Sequence, residues 1–126
     1  MIAIVDDEEA VRRALARLLR SAGLDVATFA TGAEFLISLG TTRPDCLVLD
    51  LHMPQLGGLE VQSRVAENAH RVPVVIITGD DTPEAHGRAL AGGAAAYLRK
   101  PVDGQSLLNA IANAIASASD GAEPAR

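Results

Sequence analysis

The sequence predicts an α/β fold: a doubly wound sheet of five parallel strands with five helices. Short apolar runs alternate along the chain with stretches whose apolar residues recur at helical spacing, which is the pattern of repeated strand–helix units. Polar residues stand at the ends of several of these runs. Because ligands bind beyond the carboxyl ends of the strands in such a sheet, a functional site is expected there.

The first strand–helix unit occupies the first 22 residues. Residues 2–5 are apolar throughout and predict a buried strand, and a helix is expected from about residue 8 to residue 22. Five apolar residues of this helix fall on one face: Val11, Leu15, Leu18, Leu19 and Ala22. Gly23 ends the helix, and residues 26–29 form the second strand.

The middle of the chain repeats the alternation. Thr31 followed by Glu34 is a capping-box pattern, and it starts a short second helix that ends at Gly40. Residues 46–49 form the third strand, and a third helix is expected over residues 59–68, after a loop that contains two glycines. Its inward residues are predicted to be Leu59, Val61, Val65 and Ala66.

The last two units carry clear helix-start signals. Residues 74–78 form the fourth strand, and Thr82 followed by Pro83 predicts the start of the fourth helix. Residues 95–98 form the fifth strand, and Asp103 caps the final helix. The apolar stripe of that helix consists of Leu107, Leu108, Ile111, Ala114 and Ile115.

Composition limits the classes of function. The 126 residues suit one domain, which we expect over residues 1–117, with 118–126 a flexible tail or the start of a linker. The net charge of −5 argues against direct nucleic acid binding, and the single cysteine excludes an internal disulfide. No apolar stretch reaches the ~18 residues of a membrane span and no signal peptide opens the chain, so we expect a cytoplasmic protein without a membrane partner.

Four of the predicted strands lead into polar residues. The first leads to Asp6 and Asp7, the third to Asp50, and the fourth ends at Thr78, while the fifth is followed closely by Lys100. Parallel strands bring these residues to one edge of the sheet. Burying an unpaired charge costs roughly several kcal/mol, so a lone carboxylate at the tip of a buried strand indicates a functional role.

Crowded carboxylates are tolerable only with a cation. An all-oxygen site suits Mg²⁺, which takes one or two carboxylates and keeps several waters. We expect Asp7 and Asp50 to be direct ligands, Asp6 to act through water, and the backbone carbonyl of His52 to complete the shell. An ammonium, a hydroxyl and a carboxylate nucleophile beside that ion are the parts needed for phosphoryl transfer to an aspartate.

These motifs resemble the receiver domain of two-component response regulators. The matching elements, in chain order, are Asp6-Asp7, then Leu49-Asp50-Leu51-His52-Met53-Pro54 with Gly58 in the loop beyond, then Thr78, and then Lys100-Pro101. The residues of these motifs most resemble those of the FixJ branch, whose members usually regulate transcription through an appended helix-turn-helix domain. The resemblance implies a flavodoxin-like fold with strand order 2-1-3-4-5.

The resemblance also implies a mechanism. Asp50 would accept a phosphoryl group from a histidine kinase with the help of Mg²⁺. Lys100 would hold a phosphoryl oxygen or pair with Asp50, and the peptide before Pro101 would be cis. Tyr97 would rotate together with Thr78 on activation. Such a domain is not an enzyme, since it assists only its own phosphorylation and dephosphorylation.

Output is expected at the face made by the fourth helix, the fifth strand and the fifth helix. Phosphorylation would make this face form a homodimer or bind an output domain, with candidate residues in 82–91 and 95–98. An output domain that controls transcription would lie outside this chain. The chain would alternatively be a stand-alone regulator or a phosphorelay intermediate.

Two other classes of protein use similar parts. Aspartate-nucleophile phosphohydrolases carry the nucleophile after the first strand in an Asp-x-Asp motif, whereas residues 6–8 read Asp-Asp-Glu here. A binding module that is not phosphorylated is disfavoured by the intact acceptor, lysine and acidic pair. A covalent phosphoryl group on Asp50, without turnover of external phosphate esters, would separate all three classes.

Individual residues also have purely structural interpretations. In that interpretation Asp6 and Asp7 only cap the first helix and interact favourably with its dipole. Tyr97 would then be a half-buried strand residue that serves only for packing. His52 would overhang the site and affect water access, or lie in solvent. The arginines off the apolar face of the first helix would be solvated or would dock a kinase: Arg12, Arg13, Arg17 and Arg20. The other histidines are predicted to lie at the surface: His70 and His86.

Overall fold

Strands and helices alternate along the chain as predicted. The computed structural model describes residues 1–53, 57–67 and 72–121. The elements are β1 (Ile2–Val5), α1 (Glu9–Ser21), β2 (Val26–Phe29), α2 (Gly32–Ser38), β3 (Cys46–Asp50), α3 (Gly58–Glu67), β4 (Val74–Thr78), α4 (Pro83–Ala91), β5 (Ala96–Arg99) and α5 (Gly104–Gly121). Pro54 of the acceptor motif, the expected surface residue His70, and residues 122–126 of the expected tail lie outside the described residues.

The five strands form one sheet in the order β2-β1-β3-β4-β5, and every neighbouring pair is parallel. The predicted fold class and strand order are therefore confirmed. The chain leaves β1 toward β2 on one side and returns to β3 on the other, so the switch point lies between β1 and β3. Val5 is in register with Leu49, which places Asp6 and Asp50 next to each other just beyond that pair.

Both faces of the sheet are buried by helices. Alternate strand residues belong to two core clusters, so that Val48 packs toward α1 and α5 while Leu49 packs toward α2, α3 and α4. This double burial explains why the strands are continuous apolar runs. The core is largely aliphatic, with Phe35 fully buried and packed edge-to-face against Phe29 at a centroid distance of 5.5 Å. Burial also raises the pKa of the Cys46 thiol to about 12, which keeps it protonated and apolar.

Three helix starts have the side-chain caps that the sequence indicates. Thr31 Oγ1 accepts the Glu34 N–H at 3.1 Å, Thr82 Oγ1 accepts the Ala85 N–H at 3.0 Å, and Asp103 Oδ2 accepts the Ser106 N–H at 2.9 Å. Each cap satisfies a backbone donor that has no partner within the first turn. The capping threonine of α4 fixes where that helix leaves the carboxyl end of β4, close to the expected site.

Two residues expected on inward helix faces are exposed instead. Ala22 lies past the last turn of α1, which ends at Ser21, so it is no longer held against the sheet. On α3 the buried residues include Val61 and Val65, and Ala66 lies one residue, about 100° of helical rotation, beyond Val65.

The third helix also buries a polar residue that the apolar pattern missed. Gln62 is 3% exposed, and its Nε2 donates a 2.9 Å hydrogen bond to the carbonyl oxygen of Ala89 on α4. This bond satisfies the buried amide nitrogen and ties α3 to α4. At the end of the chain, α5 continues to Gly121, so residues 118–121 are helical where we expected the tail to begin.

Gly58 permits the close approach of α3 to β3, and its replacement should destabilise the fold. A Cβ atom there would lie 2.5 Å from the Asp50 carbonyl oxygen and 2.6 Å from the Leu51 Cα. Because both are backbone atoms, we expect Gly58→Ala to lower the free energy of unfolding by about 1–3 kcal/mol in urea titrations.

Gly87→Ala is the matched control for this substitution. Nothing lies within 4 Å of a Cβ at Gly87, which is an exposed residue inside α4. Alanine there should therefore stabilise the protein by roughly 0.5–1 kcal/mol. Equal effects of the two substitutions would show that the backbone approach at Gly58 is not limiting.

Candidate functional site

The predicted polar residues meet at the carboxyl edge of the sheet. Asp6 follows β1, while Asp50 and Thr78 are the last residues of β3 and β4, and all three side chains are buried. Asp7 is exposed at the rim of this edge. Lys100 directly follows β5 and reaches back over the sheet to the carboxylates. Strand ends thus position each group, which makes the site as rigid as the sheet that supports it.

Lys100 joins three carboxylates. Its Nζ lies 2.9 Å from Asp6 Oδ2, 3.3 Å from Glu8 Oε1 and 3.5 Å from Asp50 Oδ1. Burial alone would lower the pKa of Lys100, but the surrounding carboxylates outweigh it and raise the pKa above its ordinary value. The lysine therefore stays charged at neutral pH. The peptide bond between Lys100 and Pro101 is cis.

Asp50 is a buried carboxylate whose negative charge is only partly offset by its neighbours. Burial, followed by the negative charge of Asp6, raises the pKa of Asp50 to about 6. Lys100 opposes this rise, as does the backbone N–H of His52, which donates to Asp50 Oδ1 at 3.2 Å. The carboxylate is consequently ionised above neutral pH but is less stable in that form than a carboxylate in water.

One carboxylate oxygen of Asp6 accepts a hydrogen bond and the other does not. Oδ1 accepts the Glu8 N–H at 2.9 Å, two residues along the chain, in the turn that precedes α1. The buried Oδ2 pairs in charge with Lys100, but no donor meets it with hydrogen-bond geometry. A buried carboxylate oxygen without a hydrogen-bond donor fits a role in holding a cation or its bound water.

The donor set around Asp6 suits a hard divalent ion. Carboxylate oxygens of Asp6, Asp7 and Glu8 lie within 4.8 Å of one another. Oxygen-only ligands of this kind are preferred by Mg²⁺. Glu8 was not among the predicted ligands, although it directly continues the Asp6-Asp7 run and pairs with Lys100. Its approach to the other two carboxylates depends on the turn into α1, which sequence pattern does not specify.

A polar contact between two side chains lies at the entrance of the site. His52 Nε2 lies 2.9 Å from Asp80 Oδ2, and both side chains are largely exposed. The Asp80 backbone N–H donates to Thr78 Oγ1 at 3.1 Å. His52, which we expected either to overhang the site or to lie in solvent, thus connects the segment after β3 with the segment after β4. Sequence reasoning missed Asp80, which lies two residues beyond Thr78.

Tyr97 is partly buried on β5, next to β4. Its hydroxyl donates a 3.0 Å hydrogen bond to Asp81 Oδ1, and its ring stacks on His86 of α4 at a centroid distance of 4.5 Å. Burial, followed by the Asp81 carboxylate, raises the pKa of Tyr97. His86 is exposed, as predicted, and it has the ring contact that its sequence position did not reveal.

Comparison with known proteins decides the family. The sequence model that describes the response regulator receiver domain family matches residues 2–112 of this chain. The chain belongs to the response regulator receiver domain family. This match covers every strand and the first half of α5, and it includes all the polar residues that converge at the sheet edge.

Relatives and solved structures agree with this assignment. The response regulator protein TmoT of Ectopseudomonas mendocina is 38% identical over 115 residues, covering 91% of this chain and 52% of TmoT. A response regulator receiver protein from Burkholderia phymatum is 42% identical with a TM-score of 0.81, covering 91% of this chain and 94% of that one. The structure of FixJ-N is 31% identical in sequence with a TM-score of 0.85, and the match covers 91% of this chain and 92% of FixJ-N. This match supports the predicted similarity to the FixJ branch.

The receiver domain spans about half the length of the curated relatives that it matches first. Receiver domains are signalling domains rather than classical enzymes; they interact with histidine kinases and generally bind Mg²⁺ at an acidic pocket. Within the described parts of the chain, none of the helices has the length and apolarity needed to cross a membrane.

The raised pKa of Asp50 predicts a pH-dependent gain in stability for Asp50→Asn. Above pH 6 the folded protein holds a buried charge, so the variant should be more stable by about 3 kcal/mol in the presence of a chelator. Below pH 6 the folded protein binds a proton at Asp50, whereas the unfolded chain does so only near the ordinary value of 3.8. The wild type therefore gains relative stability as the pH falls through 6, and the difference should shrink toward pH 4.

Urea titrations of both proteins from pH 8 to pH 4.5 measure this difference. Asp25→Asn, at an exposed position, controls for the loss of one surface charge. A stability difference for Asp50→Asn that stays constant with pH would mean that burial does not perturb this carboxylate.

Proposed function

We propose that Asp50 of this receiver domain accepts a phosphoryl group from the phosphohistidine of a sensor kinase, in a reaction that needs Mg²⁺. The observation that carries the proposal is the position of Asp50: a buried carboxylate at a strand tip, 3.5 Å from the Lys100 ammonium and beside an acidic cluster. The domain assists this reaction and the later hydrolysis, and it turns over no external substrate.

The reaction is an in-line displacement at phosphorus. An ionised Asp50 oxygen forms the new bond to phosphorus, and the bond from phosphorus to the donor nitrogen breaks, with its electron pair leaving on the histidine. With a pKa near 6, Asp50 is largely ionised at neutral pH and ready to attack. Lys100 is already charged and lies next to Asp50. It pairs with a phosphoryl oxygen once the new bond to phosphorus has removed the negative charge of Asp50.

Asp7 and Asp50 would hold the metal directly, with Asp6 acting through water and the backbone carbonyl of His52 completing the shell; Glu8 adds a nearby carboxylate. Bound there, Mg²⁺ supplies positive charge that offsets the charge of the phosphoryl oxygens. Asp6 Oδ2, which lacks a hydrogen-bond donor, is suited to accept from a metal-bound water. Lys100 limits the repulsion among these carboxylates before any ion arrives.

Thr78 and Tyr97 would convert phosphorylation into a change of surface. The Thr78 hydroxyl, now bonded to the Asp80 N–H, would turn to a phosphoryl oxygen, and Tyr97 would move into the space vacated. The face formed by α4 and β5 would then bind a second copy of the domain more tightly. Sedimentation with and without beryllofluoride tests this, and an unchanged mass would contradict it.

The wider role is control of transcription through an output domain outside this chain. Matching relatives include the transcriptional regulatory protein TdiR and the DNA-binding transcriptional regulator NtrC, of which this chain spans 50% and 26%. The net charge of −5 favours DNA contact by such an output domain rather than by the receiver. A stand-alone regulator or phosphorelay intermediate is the second candidate. Because kinases draw on ATP, we place the domain in the cytoplasm.

Acetyl phosphate with Mg²⁺ should add one phosphoryl group to the protein, as measured by intact mass. We expect no addition to Asp50→Asn and none when a chelator replaces Mg²⁺, because the nucleophile or the charge compensation is then lost. Asp80→Asn removes an exposed carboxylate nearby and should still be labelled. Labelling of Asp50→Asn at the wild-type level would place the nucleophile elsewhere.

Mg²⁺ should stabilise the folded domain. At a hundredfold excess over its dissociation constant, a ligand specific to the folded state adds about 2.7 kcal/mol to the free energy of unfolding. The Asp7 side chain is exposed and makes no hydrogen bond or ion pair within the described residues, so Asp7→Ala should cost little by itself. We expect this variant to lose the Mg²⁺-dependent shift in melting temperature.

Asp25→Ala, which also removes an exposed acidic side chain, should keep the full shift. The predicted metal site would be wrong if Asp7→Ala responded to Mg²⁺ as the wild type does, or if the wild type showed no response.

A further inference from the structure

Tyr97 is held by side chains from two other segments. Asp81 lies between β4 and α4 and accepts the Tyr97 hydroxyl at 3.0 Å. His86 projects from α4, and its ring stacks on Tyr97 with an interplanar angle of 28°. One partner therefore covers a face of the ring and the other binds its hydroxyl.

The two contacts fix both the ring and its polar end. Stacked aromatic pairs contribute beyond the area that they bury, and a charged acceptor makes a stronger hydrogen bond than a neutral one. Asp81 is itself placed near Arg99, whose Nε lies 3.8 Å from Asp81 Oδ2. That pair is exposed and contributes little energy, but it favours the carboxylate orientation that leaves Oδ1 for Tyr97.

These contacts compete with any inward movement of the ring. Tyr97 is in register with Ile76, and Arg99 with Thr78, so the tyrosine lies one inter-strand step from the strand that ends in Thr78. For the ring to move toward the core, the stack on His86 and the bond to Asp81 must both break. Their strength consequently adds to the cost of leaving the surface-facing position.

We infer that His86 and Asp81 are positioning residues that hold Tyr97 at the surface and set the resting balance of the switch. Only the link to phosphorylation rests on the proposed function; the holding contacts are properties of the resting domain. Removing either contact should move Tyr97 toward its inward position before any phosphoryl group is present.

The chain contains a built-in probe for this inference. Tyr97 is the only tyrosine, and there is no tryptophan. Tyrosine absorbance and fluorescence, and the tyrosine ring signals in NMR spectra, therefore report on this residue alone. A stacked imidazole shifts the ring signals, so the stack on His86 is directly observable.

We expect His86→Ala and Asp81→Ala to shift the resting Tyr97 ring signals toward those of the beryllofluoride-bound wild type, and to give that ring new nuclear Overhauser contacts to core residues. The half-saturating concentration of beryllofluoride, in the presence of Mg²⁺, should fall by about threefold to tenfold, because less interaction free energy opposes the active state. His86→Phe retains a stacking ring and should restore wild-type behaviour, whereas Asp81→Asn retains a neutral acceptor oxygen and should restore it in part. These conservative variants separate positioning from a general loss of stability.

Arg88→Ala is the matched control on the same helix. Arg88 is exposed, and its side chain makes no ion pair or ring contact within the described residues, so its removal should change neither measurement. The inference is overturned if the Tyr97 ring in the two alanine variants gains no nuclear Overhauser contacts to core residues relative to the resting wild type. It is also overturned if His86→Phe behaves as His86→Ala does.

A failure of the proposed function gives a different result. If acetyl phosphate does not label Asp50 and beryllofluoride leaves the wild-type spectrum unchanged, phosphorylation at Asp50 is wrong. The nuclear Overhauser contacts of the Tyr97 ring in the resting alanine variants still decide whether His86 and Asp81 hold Tyr97, because they need neither a phosphoryl donor nor a beryllofluoride-bound reference.

Discussion

Two buried carboxylates share one ammonium group at the end of the sheet, and much of the chemistry of this domain depends on that arrangement. Asp6 and Asp50 would be costly to bury alone, and Lys100 lies within 3.5 Å of both. The compensation is incomplete, because the pKa of Asp50 is still raised to about 6. The fold thus keeps a buried carboxylate whose negative charge is only partly offset by Lys100, at some cost in stability.

The parallel sheet makes this arrangement possible. Its strands are buried on both faces, so the strand interiors carry apolar side chains, and the buried polar residues Asp6, Asp50 and Thr78 lie at the carboxyl edge. The switch point between β1 and β3 brings Asp6 and Asp50 together, and β4 and β5 add Thr78 and Lys100 in order along the same edge. Rigid strands therefore fix the positions of groups that come from four separate parts of the sequence.

The same strands connect the site to the proposed output face. Thr78 ends β4, and Tyr97 lies on the adjacent β5, whose outer contacts are with His86 of α4 and with Asp81. The buried bond from Gln62 to Ala89 ties α4 to α3, which itself begins against the backbone of Asp50. Two short chains of contacts thus run from Asp50 to α4, one through β4 and β5 and the other through α3.

The sequence by itself determined the fold class, the strand order through family resemblance, and the convergence of Asp6, Asp50, Thr78 and Lys100. These follow from local patterns: apolar runs of strand length, helical spacing between them, and polar residues where the runs end. The helix caps at Thr31, Thr82 and Asp103 are local in the same sense, which explains why they could be predicted.

Only the tertiary structure decided which side chains meet across the fold. Glu8 and Lys100 are 92 residues apart in sequence, and Gln62 and Ala89 are 27 apart, so no local pattern indicates either contact. The His86–Tyr97 stack likewise depends on how α4 packs beside β5. Burial is also a tertiary property. Ala66 fits an apolar stripe in sequence, yet the orientation of α3 leaves it in solvent. Gln62 is polar, yet it is buried because its amide donates a hydrogen bond to Ala89.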